Sequence, residues 1–489
     1  MTTNLLEDFL KSLSISVYPS SLRRINESFY IFVAKTNKEK RVGFLTDSNS
    51  FYLQDPYFPE NKKIEELNLY VNLYPLNFDN YKKINNFIKI SPSICKRKTS
   101  FGTGDRLGLV TSAQISALKE YNLFPIVAQQ SPRELIKTHR DFKDVLLKSV
   151  LGILEANYQG EYGADADHIK DEKYLLEAID AGYTMYTLDI SDLIQKISSL
   201  SQKELKEKFE KISGTSKKII EKYAGRKVKI SEDQYFELSY DELCKSAIIY
   251  ENAMPFIEMV YDILRSKLTE FDIEISIDEG ERDTTPEDHV FVVEYLHQKG
   301  IDFKSLAPKF PGEFQKGIDY QGNIKEFEES LVKHYTLAKN LEGYRLSLHS
   351  GSDKFSIYKI FYKITQENFH IKTSGTSWLE AVKVIAKFEP DLFLELYNIA
   401  LESLEESKKA YKVNIKKEDF PKEIKEDLLA FLSKKEVRQL FHISYGTLLE
   451  EKREEIYSIL DKYEEDHYKF VYENIKRHLQ ELFEEGKNV

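Results

Sequence analysis

Hydrophobic and polar positions fall into three patterns along the chain. In residues 1–95, short apolar runs such as 29–34 (FYIFVA) and 41–45 (RVGFL) lie between clusters of Asn, Lys, Asp and Ser. That is the punctuation of strands and turns. In residues 96–390, eight strand-like runs alternate with amphipathic stretches: 101–106, 124–130, 163–169, 184–190, 271–278, 301–308, 344–350 and 370–375. Residues 144–159 repeat apolar positions at helical spacing (Val145, Leu146, Val150, Ile153, Leu154), and Thr285-Pro286-Glu287-Asp288 reads as an N-cap with proline at the first helical position. Residues 391–489 are helical in pattern, with charged faces. Strand then helix, eight times over, predicts an α/β chain built on a (β/α)8 TIM-like barrel, with a strand-rich N-terminal region and a helical C-terminal extension.

One spacing is irregular. About 80 residues separate the fourth run from the fifth, far more than one crossover helix needs. The excess, about 191–231, leaves the catalytic end of the fourth strand, so it reads as a lid or as a passive helical insertion.

Composition narrows the class. The chain has 489 residues, a formal net charge of −11 and intermixed acids and bases, so no basic face for nucleic acid is expected. Its two cysteines, Cys95 and Cys244, stand in unrelated contexts and form no CxxC. No apolar run approaches the ~20 residues of a bilayer span. The N-terminus lacks the basic start of a secretory signal. A cytoplasmic enzyme with no nucleic-acid or membrane partner is expected. The C-terminal extension would pack on the barrel or on a sister subunit, which leaves homo-oligomerisation open.

In such barrels chemistry sits where strands end, and polar residues gather there. The third run closes with Asp165, Asp167 and His168, the fourth with Asp189, and the fifth carries Glu274 and Asp278; Lys304, His349, His370 and Lys372 follow on later runs. Strands covered on both faces should be nearly all apolar, so these groups need partners or a metal. His168 and His349 are the histidines best placed to ligate a divalent ion such as Zn, Ni, Co or Mn, against the plainer reading of hydrogen-bonded structural residues. Gly102–Gly108 (GTGDRLG) has the spacing GxGxxxG, not that of a dinucleotide fingerprint. It reads as a tight turn, or as a turn bringing Arg106 to a ligand. Ser350-Gly351-Ser352-Asp353-Lys354 makes an anion cradle. Lys304 and Lys372 are either cations for an acidic substrate or salt-bridge partners of Asp167 and Glu274, with a Schiff-base role less favoured.

The stretches FGTGDRLGL (101–109), PIVAQQSPRE (125–134), GADADHIK (163–170), DEGERDTTPEDH (278–289), SLAPKFPGEFQKGIDY (305–320), LSLHSGSDKFSIY (346–358) and HIKTSGTSWLEA (370–381) resemble the tagaturonate epimerase family. The resemblance implies a metal-dependent interconversion of D-tagaturonate and D-fructuronate. It implies His168 and His349 as metal ligands with Gln315 as the third (Asp319 and Asp353 as substitutes), and Asp167 and Glu274 as the acid/base pair. Arg106, Gln130, Ser350, Lys354 and Lys372 are the expected contacts to the sugar acid. The inverted carbon is β to the ketone, so its C–H is not acidified. Retro-aldol cleavage and re-addition is therefore preferred to oxidation by a nicotinamide. A metal-dependent sugar-acid aldolase or ketose isomerase is the alternative, and a non-catalytic sugar-acid binding protein the second.

Overall fold

The structure, a computed structural model, describes residues 2–483 apart from Lys38, Ser374 and Lys412. Ser374, within the last predicted strand run, and the final six residues of the helical extension therefore lie outside the described residues. All eight predicted central runs form parallel strands: β1 (Ser100–Thr103), β2 (Phe124–Gln130), β3 (Gly163–Ile169), β4 (Met185–Asp189), β5 (Asp272–Ser276), β6 (Ser305–Ala307), β7 (Arg345–Leu348) and β8 (Phe369–Thr373). They pair in chain order, and β8 closes on β1 to complete the barrel. The first run is shorter than its apolar pattern suggests because Asp105 ends it. That carboxylate accepts the backbone N–H groups of Leu107 (3.2 Å), Gly108 (2.8 Å) and Val110 (2.7 Å), folding the glycine-rich stretch into a tight turn.

The helices between strands start where side chains can cap them. Thr285 accepts from Asp288 N, and Asp288 returns the bond, opening the helix Pro286–Gln298. The helix expected over 144–159 runs instead from Phe142 to Glu155, capped by Asp141. It stops early because Asn157 adopts a left-handed φ of 49°.

The N-terminal region forms a six-stranded sheet around the hairpin Phe29–Lys35 and Lys40–Thr46. Side-chain alternation gives this sheet two jobs. Phe32, Ala34 and Leu45 pack under the helix Thr2–Ser12, whereas Ile31, Val33, Val42 and Phe44 join the core that surrounds the barrel. The insertion after β4 carries the helices Gln202–Lys211 and Gly214–Tyr223 and the hairpin Lys227–Lys229/Tyr235–Glu237. Tyr223 Oη donates to Glu294 at 2.8 Å, and Ser198 Oγ donates to Glu281 at 2.8 Å in the loop after β5.

The C-terminal helices, chiefly Pro390–Glu402, Lys435–Lys462 and Glu464–Leu482, pack against the last barrel helix, Thr376–Phe388. Trp378 anchors this contact: it is fully buried and its Nε1 donates to Phe441 O at 2.8 Å. No helix among the described residues is long and apolar enough to cross a membrane.

Two stability predictions follow from the core. Trp378→Ala should cost about 3–5 kcal/mol, read as a fall in the urea midpoint. The second concerns six buried histidines: His289, His334, His370, His442, His467 and His478. Burial lowers the pKa of each from its ordinary 6.5, to about 4 for His334 and about 3 for His370 and His467. As pH falls through 6.5 the unfolded chain takes up protons that the folded chain refuses, so stability must fall with acidification. Each such group contributes a slope of at most ~1.4 kcal/mol per pH unit. Denaturation midpoints should therefore drop steeply between about pH 6.5 and 4, and a flat profile would refute neutral burial.

Candidate active site

The polar residues that seemed out of place in apolar strands are paired inside the barrel. Lys372 on β8 is 2% exposed, with its Nζ 2.7 Å from Asp167, 3.3 Å from Asp165 and 3.5 Å from Glu274. It also donates to Thr187 Oγ1 at 3.2 Å. Asp165 accepts from Thr187 Oγ1 (2.9 Å) and Gln129 Nε2 (3.0 Å), and Glu274 accepts from Ser305 Oγ at 2.6 Å. Of the two roles the sequence offered Lys372, the structure displays the salt-bridge one. Burial alone would strip its proton, but Asp165, Asp167 and Glu274 outweigh burial and raise its pKa. A charged ammonium is the opposite of the free amine that Schiff-base chemistry requires.

A bulge in β3 aims two adjacent side chains at this network. Tyr186 pairs with Ala166 and Leu188 with Ile169, so Asp167 and His168 together oppose the single Thr187. His168 takes a left-handed φ of 57°, a strained conformation for a residue other than glycine. Its Nδ1 is hydrogen-bonded to Asp167 Oδ1. His349, just beyond β7, bonds Glu274 Oε1 through Nε2 and places Nδ1 3.2 Å from Asp278. Burial pushes the Asp167 and Glu274 carboxyls up. For Asp167, His168 and then Lys372 outweigh burial; for Glu274, His349 and then Lys372 do so, and both carboxyls lie well below the carboxylate range. For His349, burial and Lys372 press downward, but Asp278 and Glu274 prevail and raise it to about 10.

The two imidazole rings lie 5.3 Å apart, centre to centre, tilted by 44°. Rings sharing a tetrahedral ion at N–metal distances of about 2.1 Å stand roughly 5–6 Å apart, but both nitrogens of His349 face carboxylates, Nε2 Glu274 and Nδ1 Asp278, so His349 would give up one of them to reach a shared ion. Oxygen donors stand beside them. A ring nitrogen of His168 and carboxylate oxygens of Asp189 and Glu279 lie within 4.8 Å of one another. The Asp167–His168 bond matches the carboxylate–histidine support that metal ligands usually carry. This donor set therefore fits a divalent ion.

The remaining expected residues lie elsewhere or are occupied. The Gln315 amide oxygen accepts from Gln439 Nε2 at 2.8 Å. Asp319 caps the helix Phe355–Thr365 through Ser356, and Asp353 pairs with Arg438 at 3.2 Å. Arg106 is buried against Glu134 (2.8 Å) and stacks on Tyr445. Lys354 donates to the carbonyls of Gln315, Ile318 and Ser352, and burial lowers its pKa to about 7. On β2, Gln129 bonds Asp165 inside the barrel, whereas Gln130 at the strand end is buried with neither amide atom hydrogen-bonded. Lys304 is exposed at the start of β6, the end away from the mouth. Ser350 receives Lys316 Nζ at 3.1 Å. Sequence reasoning passed over Glu279, Lys316 and Thr187. The acidic pair Asp278-Glu279 closing the fifth run was the available signal for the first.

The tagaturonate epimerase family (UxaE) matches residues 18–482. A tagaturonate/fructuronate epimerase of Thermotoga maritima is 42% identical over 398 residues, which is 80% of this chain and 82% of the relative. The crystal structure of fructuronate-tagaturonate epimerase UxaE from Cohnella laeviribosi superposes with a TM-score of 0.87, at 32% identity and 99% coverage of both chains. Its complex with one glycerol gives a TM-score of 0.88. With a closed eight-stranded barrel and coverage this complete, the chain belongs to the tagaturonate epimerase family of carbohydrate isomerases.

Proposed function

We propose that this protein interconverts D-tagaturonate and D-fructuronate by inverting carbon 4, in the cytoplasm, with a divalent cation bound at the barrel mouth. Likeness over the whole chain to proteins named for that reaction supports the substrate. The single observation that carries the mechanism is the packing of Asp167, Glu274, Lys372 and two imidazoles into one buried cluster.

His168 and His349, with Asp189 and Glu279, would hold the cation. When bound it supplies Lewis-acid stabilisation of negative charge developing on oxygen. The other groups move protons and hold geometry. One of Asp167 and Glu274 takes the proton of the carbon-4 hydroxyl. The bond between carbons 3 and 4 then breaks, its electron pair forming the enediolate of a three-carbon fragment and leaving an aldehyde at carbon 4. The aldehyde turns about the bond to carbon 5 and presents its other face. Carbon 3 attacks, and the proton held by the first carboxyl group, relayed through the Lys372 ammonium that contacts both carboxylates, returns to the new alkoxide by way of the second. Lys372, fixed between the two carboxylates, keeps both oriented and its positive charge near the reacting oxygens.

Incubation of metal-analysed protein with D-fructuronate should yield D-tagaturonate, with chelator abolishing the product and added cation restoring it. Accumulation of three-carbon fragments would instead favour the aldolase reading, and formation of an aldose the isomerase reading. Binding without turnover would favour a binding protein. Asp167→Asn and Glu274→Gln should each lower kcat by roughly 10²–10⁴-fold with little change in substrate affinity. Burial lowers the proton affinity of His168 and His349, but Asp167 for the one and Asp278 and Glu274 for the other raise it on balance, so metal binding should release protons. Calorimetry in buffers of different ionisation enthalpy reads that release, and its absence would remove the histidines from the ligand set.

A further inference from the structure

The mouth of the barrel has two unlike halves. The proposed cation donors come from β3 to β5 and from His349. On the other side stand the loops after β6, β7, β8, β1 and β2, together with the C-terminal helix Lys435–Lys462. Several cations there are already engaged: Arg106 by Glu134, Lys354 by backbone carbonyls, Arg438 by Asp353 and Lys372 by three carboxylates. Two others are not. Among the described residues neither Lys316, in the loop after β6, nor Arg133, in the helix Pro132–Thr138 after β2, makes an ion pair. Lys316 Nζ rests on Ser350 Oγ at 3.1 Å, one residue from His349. Arg133 is exposed at the rim, donating to Ala410 O at 3.2 Å with its guanidinium 4.9 Å from the centre of the Tyr411 ring.

A third group marks the same place. His442, on the C-terminal helix, is fully buried, and neither ring nitrogen has a hydrogen-bond partner. A Cβ added at Gly375, after β8, would come 3.1 Å from its ring, and one at Gly317 would come 3.6 Å from its Cβ. The histidine thus sits between the loops after β6 and β8. Its pKa is lowered by burial and then by the cations Arg106, Lys316, Arg438 and Lys354. Burial and the nearby Arg133 likewise lower that of Lys316. Cations without ion-pair partners beside an imidazole whose two nitrogens are both unpartnered lack one component, an anion.

Resting on the reading above, we propose that Lys316 and Arg133, with Ser350 and the imidazole of His442, form the subsite for the substrate carboxylate. The sugar acid then lies across the mouth, its keto end toward the cation donors and its carboxylate toward Lys316. The C-terminal extension contributes directly to substrate recognition through His442. These residues discriminate a sugar acid from the neutral ketose of the same shape.

Steady-state kinetics of the full-length protein on D-fructuronate, with D-gluconate as competing anion, tests this. Lys316→Met should raise KM and the gluconate inhibition constant at least about tenfold, the value of one charge-assisted bond. It should leave kcat within about threefold, and Lys316→Arg should restore both constants. Gluconate inhibition unchanged in Lys316→Met would overturn the subsite. A fall in kcat with KM and inhibition unmoved would also overturn it, making Lys316 a proton-transfer group. If Lys316→Met does not fold by circular dichroism, Arg133→Gln on the exposed rim decides, with a rise of about threefold expected and no rise refuting the proposal. A wild type that binds gluconate calorimetrically but does not epimerise fructuronate refutes the proposed reaction and leaves the subsite standing.

Discussion

A single ammonium group inside the barrel, that of Lys372, lets the rest of the site exist. Asp165, Asp167 and Glu274 reach the interior from β3 and β5, and three carboxylates in a dry space would repel one another and resist ionisation. Lys372 enters from β8 and touches all three. Threonine, serine and glutamine hydrogen bonds take up remaining oxygens. The network is a structural necessity and a chemical resource at once. It keeps Asp167 and Glu274 ionised, and each of those carboxylates orients one imidazole.

From that constraint the geometry of the mouth follows. The bulge at Asp167 and His168 spends backbone strain so that a carboxylate and the imidazole it supports can point the same way. Asp278 lies 3.2 Å from the second nitrogen of His349 as an ion-pair partner, without the hydrogen bond that joins Asp167 to His168. Electrostatics then divides the site. The carboxylates of Asp189 and Glu279 stand beside His168 on one side, and Lys316 and Arg133, without ion-pair partners among the described residues, on the other. A ketose bearing a carboxylate is polar in that same sense along its length.

The helical extension belongs to this design. It is fastened through Trp378 and a separate apolar cluster, and it brings Gln439 onto Gln315 and His442 between two barrel loops. Gln439 thereby engages the amide oxygen that the family resemblance had suggested as a metal ligand. Glu279 and Asp189 offer oxygen beside His168 instead.

The barrel, its eight strands and most helix starts are legible in the sequence because they rest on local rules. Side-chain alternation, helical spacing and capping act within about four residues. The helix read from residue 144 in fact opens at Phe142 behind the cap Asp141, which marks the limit of such signals. Unpaired-looking polar residues in apolar runs pointed correctly to Asp167, His168, Glu274, His349 and Lys372 as a group needing partners. That Lys372 rather than Lys304 is the salt-bridge partner of Asp167 and Glu274 was not legible. Lys372 and Asp167 are 205 positions apart in sequence, and only barrel closure places them 2.7 Å from each other. The engagement of Arg106 by Glu134, of Gln315 by Gln439, and the isolation of Lys316 were likewise settled by which loops meet. The chain by itself determined which residues would be costly to bury, because that cost depends on residue type and strand pattern; the tertiary structure alone decided how each cost is met, because pairing depends on distances between segments remote in sequence.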